Sequence, residues 1–229
     1  VGARFEAILF DAGGVLVLPD PKVLAPLVAY YGGDDRHETY VRAHYAGMAA
    51  KSAVTAGESD WTHYNATYLS HLSVPDEHRE AALEVLTHVK SNARLWRHPI
   101  PGSAEALLEL GSRGVPIGVV SNASGQIEST LRVSGICQVG PGPHAEVRCV
   151  VDSHVVGVEK PNPCIFDHAL VHFDGIDRSR IAYVGDSLIM DVGGARAAGL
   201  FPVLVDPYDD AVDHDVERIR SLDELLKYV

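Results

Sequence analysis

A run of four apolar residues, Ala7-Ile8-Leu9-Phe10, ends in a single carboxylate, Asp11, and a glycine pair, Gly13-Gly14, follows almost at once. An unbroken apolar run of this length, closed by a turn signal, reads as a strand buried on both faces. Strands of that kind belong to parallel sheets covered by helices on both sides. Asp11 then stands at the strand's carboxyl end, where open α/β sheets bind their ligands. A carboxylate there can attack an electrophile, bind a cation, or do both. A turn aspartate ahead of glycine is the plain structural alternative.

Three further segments bear on that choice. Ile117-Gly118-Val119-Val120 is a second apolar strand, and it ends in a hydroxyl, Ser121, followed by Asn122. Gly157-Val158-Glu159-Lys160-Pro161-Asn162-Pro163 sets a lysine just ahead of a helix start. Ile181-Ala182-Tyr183-Val184-Gly185-Asp186 is a third strand ending in a carboxylate, with Asp191 five residues on. Asp11, Ser121, Lys160 and the Asp186/Asp191 pair, in that order, resemble the four motifs of the haloacid dehalogenase superfamily of hydrolases. The helical stretch after the first strand resembles the cap of its subfamily I type. The resemblance covers essentially the whole chain, and the D-x-x-x-x-D of the fourth motif is its most specific part.

The rest of the chain is organised around these segments. From Pro19 to about Asn92 no strand is apparent, and helical periods are broken at Gly32-Gly33, Gly57 and Pro75. Four helices are expected, at about 21–31, 35–53, 59–72 and 76–91. The third carries Trp61, Tyr64, Tyr68, Leu69 and Leu72 on one face, a stripe that usually packs into a core. From about residue 98 helices and strands alternate, which implies a doubly wound parallel sheet. The expectation is thus an α/β fold, a Rossmann-like core with a small all-helical cap. Residues 1–17 and 93–229 form the core and 18–92 the cap. Residues 135–148 read as a loop, Asn162 as an N-cap with Pro163 at the first helical position, and Ser221-Leu222-Asp223-Glu224 as a capping box.

Composition narrows the classes of function. A net charge of −12 argues against a nucleic-acid surface and gives no attraction to anionic membranes. No apolar run approaches the roughly 20 residues of a membrane span, and the sequence enters its first strand without a charged and apolar leader. Cys137, Cys149 and Cys164 are odd in number and lack metal-binding spacing, so a reducing, cytoplasmic setting is expected. Nothing in the residues reads out an oligomeric state.

The resemblance implies phosphoryl transfer, with a small phosphate monoester as substrate and Mg²⁺ as cofactor. Asp11 would be the nucleophile. Asp11, Asp186 and the carbonyl of Gly13 would hold the cation, with Asp191 ligating it or orienting its water. Lys160 would hold the phosphoryl oxygens, with Ser121 and Asn122 helping. These assignments fit elementary electrostatics: an anionic nucleophile is repelled by a phosphoryl group unless cations intervene.

One departure matters. Most phosphatases of the superfamily carry a second aspartate two residues after the nucleophile, as a proton donor to the leaving oxygen. Here that position is Gly13. General acid–base help is worth roughly two to four orders of magnitude. A slow phosphatase, or one that takes its acid from the cap or the substrate, fits this. So do a 2-haloacid dehalogenase, a phosphonatase-like enzyme with a cap lysine such as Lys51, and a non-catalytic binding protein. His37, His44, Tyr45 and Trp61 are cap candidates by chemistry alone.

Overall fold

The structure is a computed structural model, and it describes residues 4–54 and 60–229. Its centre is β1 (Ala7–Phe10). A short strand, β2 (Val17–Pro19), leads into four helices: α1 (Pro21–Tyr30), α2 (His37–Ala53), α3 (Thr62–His71) and α4 (Asp76–Lys90). The chain returns through β3 (Trp96–Pro99), antiparallel to β2. Then follow α5 (Ser103–Ser112), β4 (Ile117–Ser121), α6 (Ile127–Val133), β5 (Cys137–Val139), β6 (Ala145–Val147) and β7 (Val150–Asp152). The remainder is α7 (Ser153–Val156), α8 (Cys164–Leu170), β8 (Ile181–Gly185), α9 (Gly194–Ala197), β9 (Phe201–Val205) and β10 (Glu217–Ile219).

Six strands form one parallel sheet in the order β10-β9-β8-β1-β4-β7. After β1 the chain builds outward through β4 and β7, then returns to the other side of β1 with β8. The direction of winding therefore reverses at β1, where α/β sheets open a crevice for ligands. Phe10 is level with both Val119 and Val184, so Asp11 emerges between the ends of β4 and β8.

The side-chain period of two divides the core between the two faces of the sheet. Ile8, Phe10, Val119, Ala182 and Val184 pack on one face with Leu107 and Leu110 of α5 and Leu131 of α6. Ala7, Leu9, Val120, Ile181 and Tyr183 pack on the other with Ile165, Phe166 and Ala169 of α8. The helical segment has its own core of Leu24, Val28, Tyr40, Tyr64, Tyr68, Leu69, Leu72 and Leu86. The aromatic stripe of α3 is therefore core, as its spacing implied, and its first member, Trp61, is half-buried beside it.

Several local expectations need correction. The 135–148 stretch is not all loop, since β5 and β6 pair there in parallel. Together with β2, β3 and β10 these are strands of three or four residues, too short to display a periodicity. Asn162 does cap, accepting from the Cys164 N–H at 3.0 Å, but the helix begins after Pro163. The capping box is absent: Ser221 makes no capping bond, and Glu224 accepts from the Arg220 N–H at 2.8 Å, one residue outside the box. The segment after Ser187 opens as a π-helical turn, Leu188–Gly193. Gly57 and residue 59, the expected start of the third helix, lie outside the described residues. All three cysteines are free thiols, and no helix among the described residues is long and apolar enough to cross a membrane.

Candidate active site

Asp11 sits at the carboxyl end of β1, buried, with Oδ1 accepting from the Ala12 N–H at 2.7 Å. The Lys160 ammonium lies 3.0 Å from the same oxygen. Oδ2 has no protein partner among the described residues. Lys160 reaches this point from the loop ahead of α8 because Asn122 clamps its main chain. The Asn122 side chain accepts from the Lys160 N–H at 2.8 Å and donates to its carbonyl at 3.1 Å. The ammonium also donates to Asp191 Oδ1 at 2.7 Å and to the Tyr183 hydroxyl at 2.9 Å. Tyr183 in turn donates to the Val120 carbonyl at 2.8 Å, so β8 and β4 together steady the lysine.

The π-helical turn explains the spacing of the aspartate pair. Ser187 caps it, its hydroxyl accepting from the Met190 N–H at 3.2 Å. The wide turn returns Asp191 beneath the strand end, where Oδ2 accepts from the N–H groups of Asp186 (3.0 Å) and Ser187 (2.9 Å). With Oδ1 on Lys160, both oxygens of Asp191 are occupied. Asp191 positions the others; Asp11 and Asp186 are the carboxylates with capacity to spare. The close approach at Gly14 has a conformational reason. Gly14 is left-handed (φ 71°), and a Cβ there would lie 1.9 Å from Asp186 Oδ2. Gly13 keeps an ordinary φ, and a Cβ on it would lie 3.3 Å from the Trp96 ring.

Electrostatics set these groups against one another. Burial pushes the Asp11 carboxyl up to about 7, with Lys160 opposing and Asp191 and Asp186 adding to the rise. Burial, then the charge of Asp191, raises Asp186 well above the usual carboxylate range, against the pull of Lys160. Burial alone would lower Lys160, but Asp11 and Asp191 outweigh it and hold the ammonium above its ordinary range. One oxygen from each of Asp11, Asp186 and Asp191 can be chosen so that all lie within 4.8 Å of one another. When all three are ionised, three buried carboxylates against one ammonium leave uncompensated negative charge. All-oxygen donors of this kind fit a hard divalent cation.

Helices α2 to α4 roof this cluster and enclose a cavity of about 610 Å³. Asp11, Gly13, Ser121, Asn122, Lys160, Asp186 and Asp191 all line it, so every residue singled out from the motifs converges there. Among the cap candidates His44 and Trp61 line it, Tyr45 donates to the Gly14 carbonyl at 2.8 Å, and His37 is not among the lining residues. Sequence reasoning missed Tyr183, Trp96, Asn65 and Lys90. Tyr183 carried a signal, a lone hydroxyl in an aliphatic strand, since a buried tyrosine needs a partner. Trp96 and Lys90 carried none short of the tertiary fold.

Comparison with known proteins agrees with this geometry. Residues 5–199 match the family model described as haloacid dehalogenase-like hydrolase. A glyceraldehyde 3-phosphate phosphatase from Methanopyrus kandleri is 32% identical over 67% of this chain and 66% of its own length. A phosphoserine phosphatase from Thermus thermophilus is 34% identical over 57% of this chain and 51% of its own. The chain thus spans about half to two thirds of the length of these curated relatives. A HAD phosphatase from Thermococcus onnurineus shares the fold, with a TM-score of 0.59 at 21% identity over 97% of both chains. With the family match covering most of its length and the four motifs gathered in one crevice, the chain belongs to the haloacid dehalogenase-like hydrolases.

Proposed function

We propose that the chain hydrolyses small phosphate monoesters, with Mg²⁺, through an aspartyl-phosphate at Asp11. The observation that carries this reading is the placement of Asp11. It lies 3.0 Å from a buried ammonium, beside two further carboxylates, on the floor of a cavity roofed by helices. Relatives named for glyceraldehyde 3-phosphate and phosphoserine support the substrate class.

In this reading Oδ2 of Asp11, which no donor among the described residues occupies, attacks phosphorus and the bond to the ester oxygen breaks. Lys160 faces the transferring oxygens and favours the ionised form of Asp11 against its burial; Ser121 adds a hydroxyl. The side chain of Asn122 is committed to Lys160, so its contribution to a phosphoryl group falls to its backbone N–H. Asp11, Asp186 and the Gly13 carbonyl would hold Mg²⁺, which neutralises the charge of the phosphoryl group. Asp191 fixes Lys160 and the turn that carries Asp186. Water then attacks the phosphoryl group and restores Asp11. Gly13 supplies no proton, so the leaving oxygen departs as an anion unless the cap or the substrate supplies one.

A panel of aryl and alkyl phosphates, a phosphonate and a 2-haloacid, each with and without Mg²⁺, tests the proposal. Phosphate esters should turn over only with Mg²⁺. Asp11→Asn should abolish that turnover, and Lys160→Ala should remove most of it. Metal-independent release of halide with no phosphatase activity would replace this reading with the dehalogenase.

A further inference from the structure

Two residues at the cap end of the cavity carry buried polar atoms with no hydrogen-bond partner among the described residues. The ammonium of Lys90, at the end of α4, is buried without a hydrogen-bond partner. It lies 3.6 Å from the centroid of the Tyr64 ring and 4.2 Å from that of Tyr68. Asn65, one residue beyond Tyr64, donates through Nδ2 to the Thr87 hydroxyl at 3.1 Å, while its Oδ1 is buried and unpaired. Lys90, Asn65 and Thr87 line the same cavity as Asp11 and Lys160. An unmade hydrogen bond at a buried atom costs on the order of 1–3 kcal/mol, more when the atom is charged. Two such atoms, on residues that line one cavity, mark a place where a ligand completes the structure.

The chemistry of that ligand follows from the pair. Lys90 offers positive charge and N–H donors, so it wants an anionic acceptor. Asn65 Oδ1 wants a hydroxyl or amine donor. Burial, then the charge of Lys51, holds Lys90 well below its ordinary range, and an arriving anion would oppose both effects. Asp60 lines the same cavity, but it binds the Thr62 N–H at 3.0 Å, and the lysine that acts on it is Lys51. Lys51 itself lies 3.7 Å from the centroid of the Trp61 ring. The tyrosine rings beneath Lys90 supply cation–π attraction, weaker than a countercharge in a desolvated site.

We infer that Lys90 and Asn65 form a cap subsite for a second anionic group of the substrate. The substrate class is a phosphate monoester whose far end carries a carboxylate or a second phosphate beside a hydroxyl or amine. The inference rests on the phosphatase reading, with Asp11 and Lys160 taking the transferred phosphoryl group and Lys90 the other end.

Three matched esters test it in the presence of Mg²⁺. Phosphoglycerate ends in a carboxylate, glycerol bisphosphate in a second phosphate, and glycerol phosphate in an uncharged hydroxyl; an aryl phosphate serves as the activity control. At least one anionic-ended ester should exceed glycerol phosphate in kcat/KM by tenfold or more, and which one does identifies the second group. Lys90→Met should shrink that ratio by about tenfold, chiefly through KM, and Lys90→Arg should restore part of it. Turnover of the aryl phosphate with equal kcat/KM for the three esters would overturn the subsite and leave the phosphatase reading standing. So would a ratio unmoved in Lys90→Met. Borohydride inactivation that requires a carbonyl substrate and is lost in Lys90→Arg would also overturn it, in favour of a covalent role for the amine. No turnover of any phosphate ester would instead defeat the phosphatase reading itself.

Discussion

His44 Nε2 lies 2.8 Å from Asp186 Oδ2, so a helix of the cap touches a carboxylate at the heart of the core. The other ring nitrogen is 2.8 Å from the Tyr64 hydroxyl. Burial, and then Lys90, hold the imidazole down to about 3, so it is neutral at physiological pH. The contact is a hydrogen bond, not an ion pair. With Asp186 ionised, Nε2 carries the proton and Nδ1 accepts from Tyr64. His44 thereby holds one oxygen of Asp186 and fixes the direction of the other. Partners of this kind are worth roughly 10–100-fold in metal affinity. Titration calorimetry of metal-free His44→Ala with Mg²⁺ should show a Kd at least tenfold weaker than wild type. An unchanged Kd would show that Asp186 needs no help from the cap.

Gly14→Ala should be far more damaging than its size suggests. The new Cβ would meet Asp186 Oδ2 at 1.9 Å and His44 Nε2 at 2.6 Å, on a backbone with φ of 71°. Left-handed strain alone costs on the order of 1–3 kcal/mol. Chemical denaturation should register at least that loss, and saturable Mg²⁺ binding should disappear. A variant with near-normal stability and Mg²⁺ affinity would contradict the placement of Gly14 against Asp186.

The buried carboxylates should tax the metal-free fold above neutral pH. Asp11 titrates at about 7 in the folded chain against an ordinary 3.8. Between those values the folded protein keeps a proton that the unfolded chain has lost, so this contribution to stability falls as pH rises and levels off above about 7. His44, held down to about 3, gives the opposite slope over part of the same window, so comparison with Asp11→Asn isolates Asp11. In chelated protein Asp11→Asn should gain on wild type as pH rises from about 4 to about 8, by on the order of a few kcal/mol. Lys160 keeps Asp191 as a partner throughout. A difference that does not change with pH would contradict the raised carboxyl.

The proton donor absent at Gly13 should be visible in the choice of leaving group. Aryl phosphates, whose oxygens leave as stable anions, should be cleaved far faster than alkyl phosphates. A Cβ on Gly13 would lie 3.3 Å from the Trp96 ring, so a side chain there requires the ring to shift by a few tenths of an ångström. Gly13→Asp alone should therefore gain little. Gly13→Asp combined with Trp96→Ala should speed alkyl esters by up to about a hundredfold, the low end of acid–base gains. Rates that are flat across leaving groups in the wild type, with chemistry rate-limiting, would mean that a donor already exists.

Much of this site was legible from the sequence because its groups stand at the ends of apolar runs. Asp11, Ser121 and Asp186 each follow a buried strand, and a parallel sheet aligns such ends. Lys160 was legible from its order among the motifs. Asp191 was legible in position, while its saturation by Lys160 and two N–H groups was not, because that depends on a π-helical turn with no local signature. Glycine pairs are ambiguous in the same way: Gly14 carries the positive φ, whereas a Cβ on Gly13 would press on Trp96, more than 80 residues away in sequence. Lys90 ends a helix, a place where solvation is the ordinary fate of a lysine. Its burial over Tyr64 and Tyr68 arises from the packing of α4 on α3. Contacts between distant segments leave no mark on spacing.

The central claim is that Asp11 carries the phosphoryl group. Rapid acid quench during a single turnover of an aryl phosphate, followed by peptide mass spectrometry, tests it directly. The account predicts that the peptide containing Asp11 gains the mass of one phosphoryl group, labile to hydroxylamine, and that the adduct is absent from Asp11→Asn. Phosphate release with no adduct at any time point, or an adduct on another residue, would contradict it.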